Sequence, residues 1–135
     1  ALVSPHLCFL HLFFVSYRDF VVIENENKVI ACAGLKVYQQ EKVGEIYALV
    51  VNKTFHNTDT SSKLMHLLIE KSMSMELTSI FALSKYGGRF FLRFDFNESK
   101  LSSLPEQDKR VMIMQEAQSF MQESFELLFT IELLS

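Results

Sequence analysis

The first half of the chain alternates apolar and polar positions, then changes period. The run from Phe20 to Glu24 is short and β-branched, ENEN is polar and turn-prone, and Lys28 to Tyr38 resumes with apolar or small residues on both faces. That pattern predicts a β-hairpin. After the polar QQEK, the stretch Val43 to Val51 sets Val43, Tyr47, Leu49 and Val51 on one face and Ile46, Ala48 and Val50 on the other. Apolar residues on both faces predict a strand buried on both sides, so three strands should form an antiparallel meander.

From Asp59 the spacing becomes helical. Leu64, Leu67, Leu68 and Met75 fall on one stripe, with Lys63, His66, Glu70, Lys71 and Ser74 opposite, and Thr58 or Asp59 can cap the start. An amphipathic helix of about four turns is expected over Asp59 to Glu76. Ser79 to Ser84 predicts another strand, Tyr86 to Phe94 a short helix, and Phe94 to Asn97 a further strand. Ser103-Leu104-Pro105-Glu106 has the form of a capping box, followed by Val111, Met114, Met121, Phe125 and Leu128 at helical spacings. A long C-terminal helix is the propensity answer.

Composition narrows the function classes. With 135 residues, 49% apolar and 21% charged, the chain suffices for one domain with a core of its own. A net charge of −3 with scattered Lys and Arg provides no footprint for nucleic acid. The most apolar stretch, Leu7 to Val15, is far shorter than the roughly 20 residues of a membrane span and reads as a buried helix or strand, with a remnant of a longer chain's upstream sequence as the alternative. No membrane association is therefore expected. Cys8 and Cys32 are too few for a disulfide framework, and Cys32 lies in a strand-like run where a buried free thiol is expected. That expectation points to a reducing, cytoplasmic setting. His6, His11, His56 and His66 show no metal-ligand spacing, so no metal is expected. A start at Ala1 rather than Met suggests truncation, with 1–18 as a divergent N-terminal segment and 19–135 as the domain proper.

The runs VIACAGL, EKVGEIYALVV, a helix beginning near Ser62, LTSIFALS, RFFLRFDF and LPEQDKR follow one another in fixed order from about Asp19 to Arg110. In order and spacing this series resembles the acetyltransferase domain of bacterial N-acetylglutamate synthases, within the GNAT superfamily of acetyl-CoA-dependent N-acetyltransferases. The resemblance implies an α/β (α+β) fold, a mixed and largely antiparallel sheet flanked by helices. It implies acetyl-CoA and an amino acid, L-glutamate, as substrates, and a place in arginine biosynthesis. It also admits self-association, or an upstream amino-acid-kinase-like domain in a longer parent.

The same resemblance assigns site residues. The strand at Tyr47 to Val51 should splay from its neighbour so that the backbone of Leu49, Val50 and Val51 meets the acetyl group and pantetheine arm. The loop HNTDTS, His56, Asn57, Thr58, Asp59, Thr60 and Ser61, takes the place of the pyrophosphate loop, whose family pattern has Arg or Gln, then Gly, then Gly or Ala at the positions of His56, Asp59 and Ser61. Glycines there let bare amides approach a phosphate at a helix N-terminus. The carboxylate of Asp59 would repel that anion, and a helix cap is its other reading. Where the synthases carry an arginine this chain has Tyr86, and where they carry Asn and Arg it has Ile113 and Glu116.

Lys42 and Glu45 keep the EK-x-GE motif, Ser84 ends the following strand, and Lys85, Arg89 and Arg93 could replace the missing charge. Lys42, Ser84 and Arg89 are the candidate substrate-binding residues. Glu45 is the candidate base for the attacking amine, and a structural hydrogen bond across the sheet is its alternative role. The loss of loop glycines and of the arginine leaves a second reading open, a non-catalytic domain of the same fold.

Overall fold

The computed structural model describes residues 19–84, 89–105, 107–108, 110–113, 115–116 and 126–133. Strands β1 (Phe20–Asn25), β2 (Lys28–Tyr38) and β3 (Val43–Val51) form the expected antiparallel meander. Glu26 and Asn27 both have positive φ in the two-residue β1–β2 turn, the conformation that matches the twist of a tight hairpin. Helix α1 (Thr60–Ser74) then crosses the sheet and returns the chain to β4 (Ser79–Ser84), parallel to β3. Helix α2 (Arg89–Leu92), β5 (Asn97–Lys100) and β6 (Leu127–Glu132) complete the order. Among the described residues the sheet has six strands, ordered β1-β2-β3-β4-β6-β5, with only β3–β4 parallel. This is an α/β arrangement with a mixed, largely antiparallel sheet.

The sheet divides two apolar clusters. One joins Ala31, Ala33, Leu35, Ile46, Ile80 and Ala82 to Leu64, Met65 and Leu68 of α1. The other gathers Val43, Phe81, Leu101, Val111, Ile113 and Leu128 on the opposite face. Helix α1 ends on Met75, and Glu76 takes positive φ while its N–H and that of Leu77 bond the carbonyls of Met73 and Ser72. Leu77 follows into the core, so the helix stops with its last carbonyls satisfied and without a glycine.

Several expectations are corrected. Helix α1 buries Thr60, Ser61, Leu64, Met65, Leu68 and Ser72, whereas Leu67 and Met75 are exposed, so the inward stripe includes Met65 in place of Leu67. Ser72 is tolerated inside because its hydroxyl donates to the carbonyl of Leu68. Strand β3 is enclosed on both faces only over its first half. The short helix covers Arg89–Leu92, and the strand expected at Phe94 to Asn97 begins instead at Asn97, after a turn in which Asp95 has positive φ.

At the expected capping box the Ser103 hydroxyl donates to the Lys100 carbonyl and Leu101–Ser103 is a 3-10 turn, while Glu106 lies outside the described residues. Asp108 instead accepts the Arg110 N–H and starts the helical residues 110–113. The long C-terminal helix is also corrected: Leu128 belongs to β6, because LLFTIE finds hydrogen-bonding edges on both β4 and β5. Met114, Met121 and Phe125 lie outside the described residues. Cys32 is buried but disulfide-bonded, with its partner outside the described residues, so the free thiol behind the reading of a reducing compartment is absent. Among the described residues no helix is long and apolar enough to cross a membrane, which says nothing of membrane-crossing strands.

Candidate functional site

The site arises where β3 parts from β4. Pairing runs from Val43↔Ser79 to Ile46↔Ala82 and stops, leaving β3 beyond that point with β2 as its one strand partner. A bulge in the β2–β3 register, between Cys32↔Val50 and Gly34↔Tyr47, centres on Ala48, whose φ is 51°. The extra residue changes which side chains face α1: Ile46 does before the bulge, Leu49 and Val51 after it. Gly34 opposite is needed, because a Cβ there would lie 2.5 Å from Cζ of Tyr47. Tyr47 packs edge-on against Phe20 at 5.5 Å, and burial, with Asp19 and Glu45 nearby, pushes its phenol up to about 12.

The splay opens into a cleft of about 470 Å³ lined by Leu49, Val50, Val51, His56, Ser61, Phe90 and Arg93. Three elements supply it: the freed half of β3, the N-terminus of α1 with its preceding loop, and α2. Helix α2 is held by aromatic packing, Phe91 on Phe129 at 5.3 Å and on Phe96 at 5.2 Å. Arg93, just beyond α2, stacks its guanidinium over Phe90 at 5.5 Å and Phe94 at 5.4 Å, placing a cation at the cleft.

The loop is ordered by its own polar groups. Asn52 accepts the Thr54 N–H, His56 donates from Nε2 to the Val51 carbonyl at 2.8 Å, and the Thr58 hydroxyl donates to the Phe55 carbonyl. Asp59 occupies the N-cap position but its side chain makes no cap bond, which corrects the reading of Asp59, though not that of Thr58, as the capping side chain. The Thr58 hydroxyl oxygen accepts the Thr60 N–H at 3.3 Å instead, and Asp59 sits 3.6 Å from Lys63 with both side chains well exposed.

The remaining sequence candidates are spread over the sheet. Ser84 closes β4 and is half-buried, and its carbonyl accepts the Glu126 N–H. Arg89 is exposed at the start of α2. Lys42 stands in the turn before β3, its carbonyl accepting the Thr78 N–H and hydroxyl, at the opposite end of the strand from the cleft. Nine residue steps at about 3.3 Å separate it from Val51. Ile113 is buried in the second apolar cluster and Glu116 is exposed, while Lys85 and Tyr86 lie outside the described residues.

Glu45 precedes the last β3–β4 pair by one residue. Burial pushes its carboxyl up, opposed by the hydrogen bond from the Tyr38 phenol, 2.8 Å from Oε1, and by Lys36. Sequence reasoning missed one cleft residue, Phe90, and named Arg93 only as a possible replacement for the missing substrate-binding charge. The signal was the run FFLRF, a cation interleaved with aromatics.

A strand that leaves its parallel neighbour beside a bulge and opens onto a helix N-terminus forms a cleft along an unpaired backbone edge, open to an extended ligand. The acetyltransferase (GNAT) family model matches residues 4–96, and the chain belongs to that family. The match takes in most of 1–18 as well. An amino-acid acetyltransferase of Photorhabdus laumondii is 33% identical over 86 residues, covering 64% of this chain and 19% of that protein. The chain thus spans about a fifth of the length of this relative. Among solved structures, N-acetylglutamate synthase from Neisseria gonorrhoeae, complexed with coenzyme A and N-acetyl-glutamate, superposes with a TM-score of 0.69 at 23% identity over 87% of this chain and 26% of that one. A Mycobacterium tuberculosis protein in complex with CoA gives 0.69 at 18% identity, over 93% of this chain and 81% of that one. At these identities the likeness shows the fold.

Proposed function

We propose that the chain transfers the acetyl group of acetyl-CoA to the α-amine of an amino acid, L-glutamate by the similarity to amino-acid acetyltransferases, as in arginine biosynthesis. The observation that carries this reading is the opening of β3 after Ile46↔Ala82, which leaves backbone hydrogen-bonding groups of its second half turned from β4 beside a cleft of about 470 Å³. Exposed strand edges are templates for extended polar ligands, and the pantetheine arm is a chain of amides of that kind. The phosphates fall toward the α1 N-terminus, where Ser61 and the cation Arg93 take over from missing glycines. In the reaction the amine attacks the thioester carbon, the C–N bond forms, the C–S bond breaks, and the thiolate leaves and is protonated. Glu45 accepts the proton lost by the amine.

Two features favour a second reading, a GNAT domain that no longer binds cofactor: Asp59 at the helix start and the engagement of His56 with Val51. Isothermal titration with acetyl-CoA separates them. Binding, with stabilisation of about 2.7 kcal/mol at one hundred times Kd, is the expected result. No heat and no shift in melting temperature at millimolar acetyl-CoA leave the second reading standing.

A further inference from the structure

We propose that Tyr38 is a positioning residue that holds Glu45 as the proton-accepting carboxylate beside the opening of β3, an inference that rests on the acetyl-transfer reading. Tyr38 lies on β2, diagonal to Glu45 across the antiparallel ladder, in which Lys36 faces Glu45 and Tyr38 faces Val43. Its ring is held from two sides. It stacks on Phe81 of β4 at 6.4 Å with planes 25° apart, and the Lys36 ammonium sits 5.2 Å from its centroid. From that fixed ring the hydroxyl donates to Glu45 Oε1 at 2.8 Å.

A hydrogen bond from a neutral donor to a carboxylate favours the ionised form, and it does so more strongly where water is excluded. Glu45 needs such help. Burial favours its neutral acid, which accepts no proton, while the phenol and Lys36 favour the carboxylate. Tyr47, on the same face of β3, brings no charge because its phenol is itself pushed up, and Phe81 on β4 is apolar. The Tyr38 phenol is pushed far above its ordinary value by burial, by the bond to Glu45, and by the charges of Glu45, Glu116 and Glu41. It therefore remains an O–H donor throughout the range in which Glu45 titrates. In the transfer step the neutral acceptor amine attacks the thioester carbon, the C–N bond forms and the C–S bond breaks, one proton passes from the amine to Glu45, and the thiolate of coenzyme A leaves and takes up a proton from solvent, to which Glu45 afterwards returns its own. Tyr38 keeps its own proton throughout.

The test compares the parent, Tyr38→Phe and Glu45→Gln, with correct folding established by circular dichroism and melting curves. With ¹³C-labelled glutamate, the Glu45 carboxyl is assigned by its disappearance in Glu45→Gln and titrated by NMR. In Tyr38→Phe its titration moves to higher pH, and the acidic limb of the acetyl-transfer rate moves upward with it while the alkaline plateau is retained. Glu45→Gln loses about 10²–10⁴ in rate on the plateau, and the acidic limb set by this carboxyl disappears. Its Tyr38 phenol, no longer bonded to a carboxylate, ionises at lower pH than in the parent. A Glu45 titration unmoved by Tyr38→Phe overturns the proposal, as does an equal rate loss at every pH, which marks a merely structural tyrosine. A parent that acetylates no amino acid removes the acetyl-transfer reading by itself, and the titration, which needs no activity, then decides the coupling of Tyr38 to Glu45 alone.

Discussion

The two halves of β3 have surroundings opposite to what their composition suggests: VGEI, with a glycine and a glutamate, is the enclosed half, and YALVV, apolar throughout, is the open one. From Val43 to Ile46 the strand bonds β2 on one side and β4 on the other, and Val43 and Ile46 are 1% and 4% exposed. Gly44 is tightly enclosed there, since a Cβ would meet Leu35 at 2.9 Å and Leu77 at 3.0 Å. From Tyr47 to Val51 its one strand partner is β2, none of its residues is fully buried, and Ala48 carries a positive φ. A side chain at positive φ costs about 1–2 kcal/mol without glycine. The closed half therefore supplies stability and the open half spends part of it on shape, so substitutions in the two should fail differently.

The largest effect belongs to the closed half. Leu68→Ala, which removes a wholly buried side chain from the α1–sheet core, should destabilise by about 2–5 kcal/mol in urea unfolding. A loss below about 1 kcal/mol would mean that α1 is not seated on the sheet through this face. Next comes the open half, where Gly34→Ala puts a Cβ into the Tyr47 ring. It should cost about 1–3 kcal/mol and displace Tyr47 from Phe20, visible as changed ring chemical shifts. Unchanged Tyr47 resonances would show that the bulge gives way instead.

The third effect tests the chemistry of the cleft without touching the core. Restoring the family's loop pattern with the triple variant His56→Arg, Asp59→Gly, Ser61→Gly removes one negative charge, adds one positive charge and lets amides approach phosphate. Asp59 makes no side-chain cap bond, so its loss costs the helix little, and Lys63 is released from it. Acetyl-CoA should bind at least tenfold more tightly, about 1.4 kcal/mol, by isothermal titration. Equal affinities would mean that side chains already in place, Arg93 foremost, set the phosphate contacts.

Much of the closed half was legible in the sequence. The hairpin, β3 and β4 are bounded by ENEN, QQEK and the change to helical period, all of them local signals, and their limits match the pattern closely. The bulge was not, because Ala48 is no glycine and only the register with β2 exposes it. The alternation was therefore carried one residue too far, and Leu49 and Val51 were assigned to the face of Val43. Beyond Ser84 the sequence misleads further. Leu127–Glu132 continues a helical period but gains both its neighbours, β4 and β5, from segments 27 to 53 positions away, information that no local window contains. In the site, residues 49–51, His56 and Ser61 converge as a strand–loop–helix order would suggest, whereas Arg93 comes from an element whose position depends on packing of Phe91 against Phe129.

The smallest expected effect fixes the rotation of α1, the element that spans both halves. Met65 is 1% exposed and its neighbour Leu67 is 39% exposed, while His66 between them points outward beside Glu70 at 3.0 Å, their side chains 71% and 62% exposed. Consecutive helix residues differ by about 100° in direction, so a one-residue error in seating would exchange these environments. An exposed i,i+4 pair contributes only about 0.3–0.5 kcal/mol, screened by salt and present only when the imidazole is protonated. His66→Ala should therefore change stability by no more than about 0.5 kcal/mol at neutral pH, whereas Met65→Ala should approach the Leu68→Ala loss. Leu67→Ala should fall between them, since Leu67 borders only a shallow groove with Val22 and Ile23. The three variants, unfolded in urea side by side, must keep the order Met65, Leu67, His66. Were Leu67 to cost more than Met65, α1 would be turned toward the stripe that the helical period of the sequence first indicates. Ser61 would then leave the cleft, and the phosphate contacts assigned to the α1 N-terminus would leave with it.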